Sequence, residues 1–152
     1  MTLRISVKHN FGKVQREIEE IIPRLDEAMR SATYENTDAL HDDAVDKINK
    51  RNPSITKTYE KIEKDVVPTG HGAIGYVGTD DKVAQILEEG SPPHEIEGHP
   101  LLRFEWGGRM ISVRKVDHPG TKPYEWLLRA AESQEPAMRE RYVAAVAEVL
   151  GG

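Results

Sequence analysis

The chain contains no cysteine among its 152 residues. This absence excludes disulfide bonds, a thiolate nucleophile and any zinc site built on cysteine ligands. No apolar run approaches the roughly 20 residues that a membrane-spanning helix needs. The first ten residues, MTLRISVKHN, also lack the apolar segment of a signal peptide. We therefore expect a soluble protein that is made in the cytoplasm and has no membrane partner.

An excess of positive charge is also lacking, because the formal net charge is -5. The chain as a whole should not attract nucleic acid. The segment Arg103–Arg129 nevertheless carries a local excess of basic over acidic residues, which favours an assembly surface, ordinary surface charge or a weak nucleic-acid-binding module. Its basic residues are Arg103, Arg109, Arg114, Lys115, Lys122 and Arg129. The acidic run from Glu35 to Asp46 is expected to be a solvated helix face, with a DNA-facing wall as the alternative.

Established catalytic motifs are missing: there is no HExxH, no GxSxG and no phosphate loop. The glycine pattern GHGAIGYVG lacks the strand–glycine–helix context of a dinucleotide site. His94 and His99 lie in a proline-rich segment, and His118 lies in a turn where it could serve as a general base. We expect structural roles for all three histidines, and hence no catalytic residue, metal or cofactor. A metal-dependent hydrolase that uses them is the alternative.

The first half of the chain has the pattern of a short edge strand followed by helices. Leu3, Ile5 and Val7 alternate with polar residues, and Asn10 can cap a helix. Apolar residues then recur at helical spacing as far as Ile48. Pro23 should kink or interrupt this pattern, and Asn52-Pro53 should end it.

The middle of the chain has strand and turn signals. Strands are predicted in ITKTYEKIEKDVVP and in GHGAIGYVGT, followed by a short helix over Lys82–Glu89 that Gly90 terminates. The segment GSPPHEIEGHP, with three prolines, should be an extended, exposed loop. Two strand-like runs, Leu101–Trp106 and Arg109–Val113, flank Gly107-Gly108 and predict a β-hairpin.

The last part of the chain begins with a turn, His118-Pro119-Gly120. A helix is predicted over Tyr124–Glu132, and Pro136 fits the first turn of a final helix. The whole pattern predicts one α+β domain over residues 1–152, with N-terminal helices, an antiparallel sheet that contains the Gly-Gly hairpin, and C-terminal helices packed on that sheet. Trp106 and Trp126 are expected in its core, with interface anchors as the alternative role.

Four segments between Tyr76 and Ala131 occur in a distinctive order. A strand with Tyr76 leads to the turn Glu89-Gly90-Ser91, and a histidine follows soon after. The strand LLRFEW and the segment HPGTKPYEWLL come next. In this order and spacing, about 55 residues of the chain resemble the minor neck and tail-completion proteins of long-tailed bacteriophages. Ser91 stands where that family more often has threonine.

The resemblance implies a structural virion protein at the head–tail junction, assembled in the host cytoplasm. It implies a homo-oligomeric ring that contacts head-completion or connector proteins and tail-terminator or tail-tube proteins. DNA would pass nearby without sequence-specific binding. We expect contacts between neighbours from Pro92, Pro93, His94, Glu95, Ile96, Gly107, Gly108 and Arg109. We expect a structural turn that docks a helix from His118, Pro119, Gly120, Pro123, Tyr124 and Trp126.

Overall fold

The computed structural model describes residues 10–51 and 58–151. The predicted edge strand at Leu3, Ile5 and Val7 and the break at Asn52-Pro53 lie outside these residues. The elements are α1 (Phe11–Arg51), a 3₁₀ helix (Thr58–Lys61), β1 (Glu63–Pro68), β2 (Ala73–Gly78), α2 (Lys82–Glu89), β3 (His94–Trp106), β4 (Arg109–His118) and α3 (Trp126–Gly151). Strands β1 and β2 form one two-stranded sheet and β3 and β4 another. The α+β class with antiparallel sheets is confirmed.

The chain divides into two compact units. Within the described residues, the first unit comprises the chain up to Asp42, Lys64–Val77, and the chain from Ser133 onward. The second unit comprises Asp43–Glu63 and Gly78–Glu132. Helices α1 and α3 each contribute residues to both units.

Helix α1 is a single helix of 41 residues. Asn10 caps it as expected, because its side-chain oxygen accepts the Lys13 backbone N–H at 3.1 Å. The expectation that Pro23 interrupts the helix is wrong, since α1 runs through it. Proline removes one backbone donor, but the hydrogen bonds of the turns on either side remain.

Polar side chains hold α1 against α3 in the first unit. The Thr33 and Tyr142 hydroxyls lie 3.0 Å apart. The buried Asn36 amide is satisfied on both sides: it donates to the Met138 carbonyl at 3.3 Å and accepts from Arg141 at 2.8 Å. Buried amides that are fully paired in this way fix the register of two packed helices.

The β1–β2 hairpin packs against α1. Arg30 donates to the carbonyls of Thr69 and Gly72 in the connection between the two strands. A Cβ atom at Gly75 would lie 1.9 Å from the Thr37 hydroxyl oxygen, so β2 approaches α1 too closely for any other residue. The strand predicted in ITKTYEKIEKDVVP is confirmed only over β1, because Thr58–Lys61 forms a 3₁₀ helix instead. Its first three residues, 55–57, lie outside the described part of the chain.

In the second unit, α2 has the predicted bounds and the predicted end. Gly90 adopts φ 79° and its N–H donates to the Ile86 carbonyl at 2.8 Å. The hairpin is also confirmed, with Gly107 and Gly108 both at positive φ, as a tight turn with matching twist requires. Strand β3 begins at His94, so the prediction of a loop over GSPPHEIEGHP is wrong from that residue onward. His94–Glu97 pair with β4, and the pairing resumes at Leu102 after an irregularity.

Helix α3 is one continuous helix that contains Pro136 in its interior, so the prediction that Pro136 begins a separate helix is wrong. Trp126 is 1% exposed, which confirms its place in the core. Trp106 is 70% exposed, and the same expectation for this residue is wrong. None of the helices in the described part of the chain has the length and hydropathy that a membrane crossing needs.

Candidate functional site

The two turns singled out from the sequence pair with each other in the second unit. Ser91 donates its backbone N–H to the Thr121 carbonyl at 2.9 Å, and Thr121 donates back to the Ser91 carbonyl at 3.0 Å. The Ser91 hydroxyl accepts from the same Thr121 N–H at 3.1 Å. The Glu89-Gly90-Ser91 turn and the His118-Pro119-Gly120 turn, 30 residues apart in sequence, therefore form one structural site, which we call the turn pair.

Glycine is required on both sides of the turn pair. A Cβ atom at Gly90 would lie 2.5 Å from the Thr121 carbonyl oxygen and 2.9 Å from Pro123. A Cβ atom at Gly120, which has φ 85°, would lie 2.3 Å from the Ser91 carbonyl oxygen. These distances are shorter than van der Waals contact, so the two backbones meet only because neither residue has a side chain.

His118 has a structural use in the turn pair. Its Nδ1 accepts the Gly120 backbone N–H at 3.1 Å, which closes the turn around Pro119. Its ring lies 5.0 Å from that of His94, the residue paired with it across β3 and β4. Since a carbonyl can only accept, His94 donates from Nδ1 to the Pro92 carbonyl at 2.9 Å. Each of the two rings is thus held by a hydrogen bond to its own local backbone.

The segment after the turn pair caps the carboxyl end of α2. Trp126 donates its indole N–H to the Ala84 carbonyl at 2.9 Å. The Tyr124 backbone N–H donates to the Leu87 carbonyl at 2.8 Å, and the Glu125 N–H to the Glu88 carbonyl at 3.3 Å. Because the last four carbonyls of a helix have no partner within it, the Tyr124 and Glu125 donors stabilise the end of α2. The Trp126 indole bonds to Ala84 one turn earlier and fixes the tryptophan against the helix.

In the other direction, Glu88 of α2 caps the start of α3. One carboxylate oxygen accepts the Leu127 backbone N–H at 2.8 Å, and the other accepts the Leu128 N–H at 3.1 Å. Glu125, immediately before α3, has φ 57°, which is uncommon for a residue with a side chain. We call this two-way arrangement of Glu88 and residues 124–126 the reciprocal cap. Sequence reasoning missed the role of Glu88, because its partners lie 39 and 40 residues away.

Two arginines contact the ring of Tyr124. The guanidinium carbons of Arg51 and Arg129 lie 5.5 and 5.3 Å from the ring centroid. Both distances are within the range of cation–π attraction. Tyr124 therefore links the end of α1 to the start of α3 within the second unit. The docking role expected for Pro119, Pro123 and the other residues of this segment stays a prediction.

The other end of α2 is an ion-paired N-cap. Asp81 accepts the backbone N–H groups of Val83 and Ala84, both at 3.0 Å, and Lys61 donates to its second oxygen. The Lys61 hydrogen bond, followed by the one from Ala84, holds the pKa of Asp81 below its ordinary value. The hydrogen bond to Asp81 likewise raises the pKa of Lys61.

The expected contact residues lie at both ends of the β3–β4 hairpin. At its base, Pro92, Pro93, His94 and Glu95 are exposed, Ile96 is half-buried opposite Val116, and Glu95 accepts from Lys115 at 2.7 Å. At its tip, Gly107, Gly108 and Arg109 are exposed. Sequence reasoning missed Met110, which is 71% exposed and lies opposite Glu105 in the β3–β4 pairing. With Trp106, the tip thus presents two large apolar side chains to solvent.

The histidines expected in the alternative hydrolase are only partly brought together. His94 and His118 are neighbours, whereas His99 lies in the irregular part of the β3–β4 pairing, between Glu97 and Leu102. Residues 10–51 and 58–151 contain no group of three or more histidine and acidic side chains close enough to hold a metal ion.

The acidic run in α1 is largely paired with lysines outside it. Asp43 accepts from Lys47 at 2.7 Å and Asp38 lies 2.9 Å from Lys64. Asp46 pairs with Lys50, whose pKa is raised by that hydrogen bond. The run is therefore partly neutralised, which weakens the field expected of a DNA-repelling wall.

Comparison of the chain with known proteins identifies no family. The chain matches no protein-family model, no curated protein and no solved structure at a significant level.

Proposed function

We propose that this chain is a structural subunit of the head–tail junction of a long-tailed bacteriophage. Copies of it form a ring in the neck or at the end of the tail, between the head connector and the tail. In this role it is not an enzyme and needs no cofactor. Its partners are further copies of itself, head-completion or connector proteins, and tail-terminator or tail-tube proteins.

The observation that carries this proposal is the turn pair. The resemblance to neck and tail-completion proteins depends on two segments, Glu89–Ser91 and His118–Pro123, that are far apart in sequence. Their direct backbone pairing gives a physical reason for the two motifs to occur together.

The chemistry of this site also supports a scaffold role. Its polar groups are used within the fold, since Glu88 caps α3, His118 closes a turn and the Trp126 indole donates to the Ala84 carbonyl of α2. These bonds fix the base of a long hairpin. A hairpin held at its base and exposed at its tip is suited to contact a neighbour in a ring.

Charge supports passive passage of DNA. The net charge of -5 gives the subunit no general attraction to phosphate. This subunit would not bind tightly to DNA that passes through such a ring. Sequence-specific binding would require side chains placed in a groove of the duplex, which a passive channel does not use.

The decisive experiment locates the protein in the particle. Antibodies to the chain, visualised by electron microscopy on virions of the phage that encodes it, should label the junction of head and tail. Deletion of its gene should yield filled heads and separate tails, and expression of the intact chain in trans should restore joined particles. Label elsewhere, or joined and infectious particles without the gene, would refute the proposal.

A further inference from the structure

The first part of α1 exposes an apolar stripe in the first unit. Val14, Ile18 and Ile22 are 51%, 52% and 47% exposed, and every residue from Phe11 to Glu20 is exposed. Ile21 and Leu25, on the same side of the helix, are half-buried. Exposed aliphatic side chains at three- and four-residue spacing on one helix face indicate a contact surface for another helix.

The spacing of this stripe is that of a coiled coil. Val14, Ile18, Ile21 and Leu25 occupy alternating d and a positions of a seven-residue repeat. Ala32, at a later a position, is buried in the first unit, so the seam open to a partner ends near Leu25. Pro23 falls at position f, away from the a/d seam. The backbone donor that proline lacks therefore does not disturb the surface that would meet a partner.

The charges beside the seam are complementary to themselves. Glu17 and Arg24 both occupy position g, one repeat apart. In an antiparallel pair, g positions of the two helices face each other, so Glu17 of each copy meets Arg24 of the other, twice by symmetry. In a parallel pair, Glu17 would instead face Ile22 at position e of the second copy. Flanking charges of this kind decide partner and orientation.

We propose that Val14–Leu25 binds the same segment of a second copy of this chain as a two-stranded antiparallel coil. Layers form between Ile18 of one copy and Ile21 of the other, and between Val14 and Leu25. The contact is two-fold symmetric, so it produces dimers and cannot by itself close a ring. In a ring-forming subunit it would join two rings face to face. It does not depend on the head–tail assignment.

The first test is the dimer dissociation constant, measured by sedimentation equilibrium over a wide concentration range. Ile18→Asp places two charges in the seam of each dimer and should raise that constant by at least about a hundredfold. The matched control is Ile74→Asp, a substitution of another isoleucine that is 49% exposed, on β2. It should leave the dissociation constant within about twofold.

The second test depends on orientation. Glu17→Arg alone and Arg24→Glu alone each convert both attractive pairs into repulsive ones, and each should weaken dimerisation about tenfold. An equimolar mixture of the two variants restores opposite charges at both pairs, so the mixture should form a heterodimer about as tight as the original homodimer. A parallel coil gives no such rescue.

A wild-type chain that stays monomeric at every concentration would overturn this inference, as would a dimer that Ile18→Asp leaves unchanged. Dimers that respond to Ile18→Asp but show no rescue in the mixture would overturn the antiparallel register. Loss of the dimer in Ile18→Asp with head–tail joining intact supports the inference. Failure of the junction proposal would leave it standing.

Discussion

Gly120 and Gly108 separate two effects that glycine has at the scale of a single residue. Both have positive φ, at 85° and 76°, but only Gly120 has backbone atoms where a Cβ would lie. We expect Gly108→Ala to lower the free energy of unfolding by about 1–2 kcal/mol, from backbone strain alone. Gly120→Ala should cost at least about 2 kcal/mol more, because the turn pair must separate. Urea unfolding of both variants measures the difference.

Equal losses in the two alanine variants would show that the close approach of Gly120 to Ser91 contributes nothing. The turn pair would then not be the feature that requires glycine at this position.

Glu88 is the residue whose role depends most on tertiary structure. Replacing it with alanine leaves the Leu127 and Leu128 N–H groups without their carboxylate, and should cost about 1–2 kcal/mol of unfolding free energy. Glu89→Ala is the control, because Glu89 is exposed and its neighbour in the same helix. It should change stability by less than about 0.5 kcal/mol. Comparable losses from both variants, measured by urea unfolding, would contradict the reciprocal cap.

These residues also show where sequence prediction succeeds and fails. Gly90 and the Gly107-Gly108 pair were predicted correctly, because a helix end and a tight hairpin are determined by neighbouring residues. The partners of Glu88 lie about 40 residues away. Nothing in the local pattern distinguishes Glu88 from Glu89, so its role becomes visible only in the fold.

At the scale of the element, α2 should depend on acid through its N-cap. The folded pKa of Asp81 is lowered, chiefly by the Lys61 hydrogen bond, so its contribution is complete above the unfolded value near 3.9. The contribution is lost as pH falls through the lower folded value. Asp81→Asn keeps an N-cap acceptor but loses the ion pair. The stability gap between wild type and this variant should be largest at neutral pH and should narrow below about pH 4.

Urea midpoints at neutral pH and near pH 3 test this expectation. A gap that stays constant over that range would mean that the Asp81 charge does not stabilise α2. The same ion pair should weaken again at strongly alkaline pH, above the raised pKa of Lys61.

The two long helices explain the main errors of element prediction. Pro23 and Pro136 both suggested helix boundaries, yet α1 and α3 run through them. The local penalty of a proline is about 3 kcal/mol, and packing over the turns on both sides of Pro136 offsets it in α3. The Asn36 and Thr33 contacts between α1 and α3 are part of that packing. The sequence around the proline gives no sign of such distant contacts. The turns before Pro23 are exposed, so this reason does not extend to the first part of α1.

At the scale of the whole molecule, the two tryptophans should report different events. Trp106 is 70% exposed at the hairpin tip, so Trp106→Ser should change unfolding free energy by less than about 0.5 kcal/mol while it weakens ring assembly. Trp126→Phe loses the indole bond to Ala84 and should cost about 1–3 kcal/mol. Light scattering of the native protein and urea unfolding separate the two effects. A Trp106→Ser variant that assembles normally would remove the tip from the proposed contacts.

The α+β class could be predicted from the sequence, because hydrophobic period and turn residues distinguish its helices from its strands. The pairing of the two turns could not be predicted, since Ser91 and Thr121 are separated in sequence by the whole hairpin. The sequence predicts separate helices where α1 is continuous, because Pro23 suggests a helix boundary. Function stays a proposal, argued from the motif order and the contact between its two parts.

The reciprocal cap has a consequence for how the second unit fluctuates. Glu88 holds α3 through its carboxylate and Glu125 through its backbone carbonyl, so an opening of the carboxyl end of α2 releases both contacts in one event. The amide hydrogens of Tyr124, Leu127 and Leu128 should therefore give one common opening free energy once each exchange rate is divided by the intrinsic rate of that amide. In the Glu88→Ala variant all three should speed up together, which nuclear magnetic resonance can follow residue by residue.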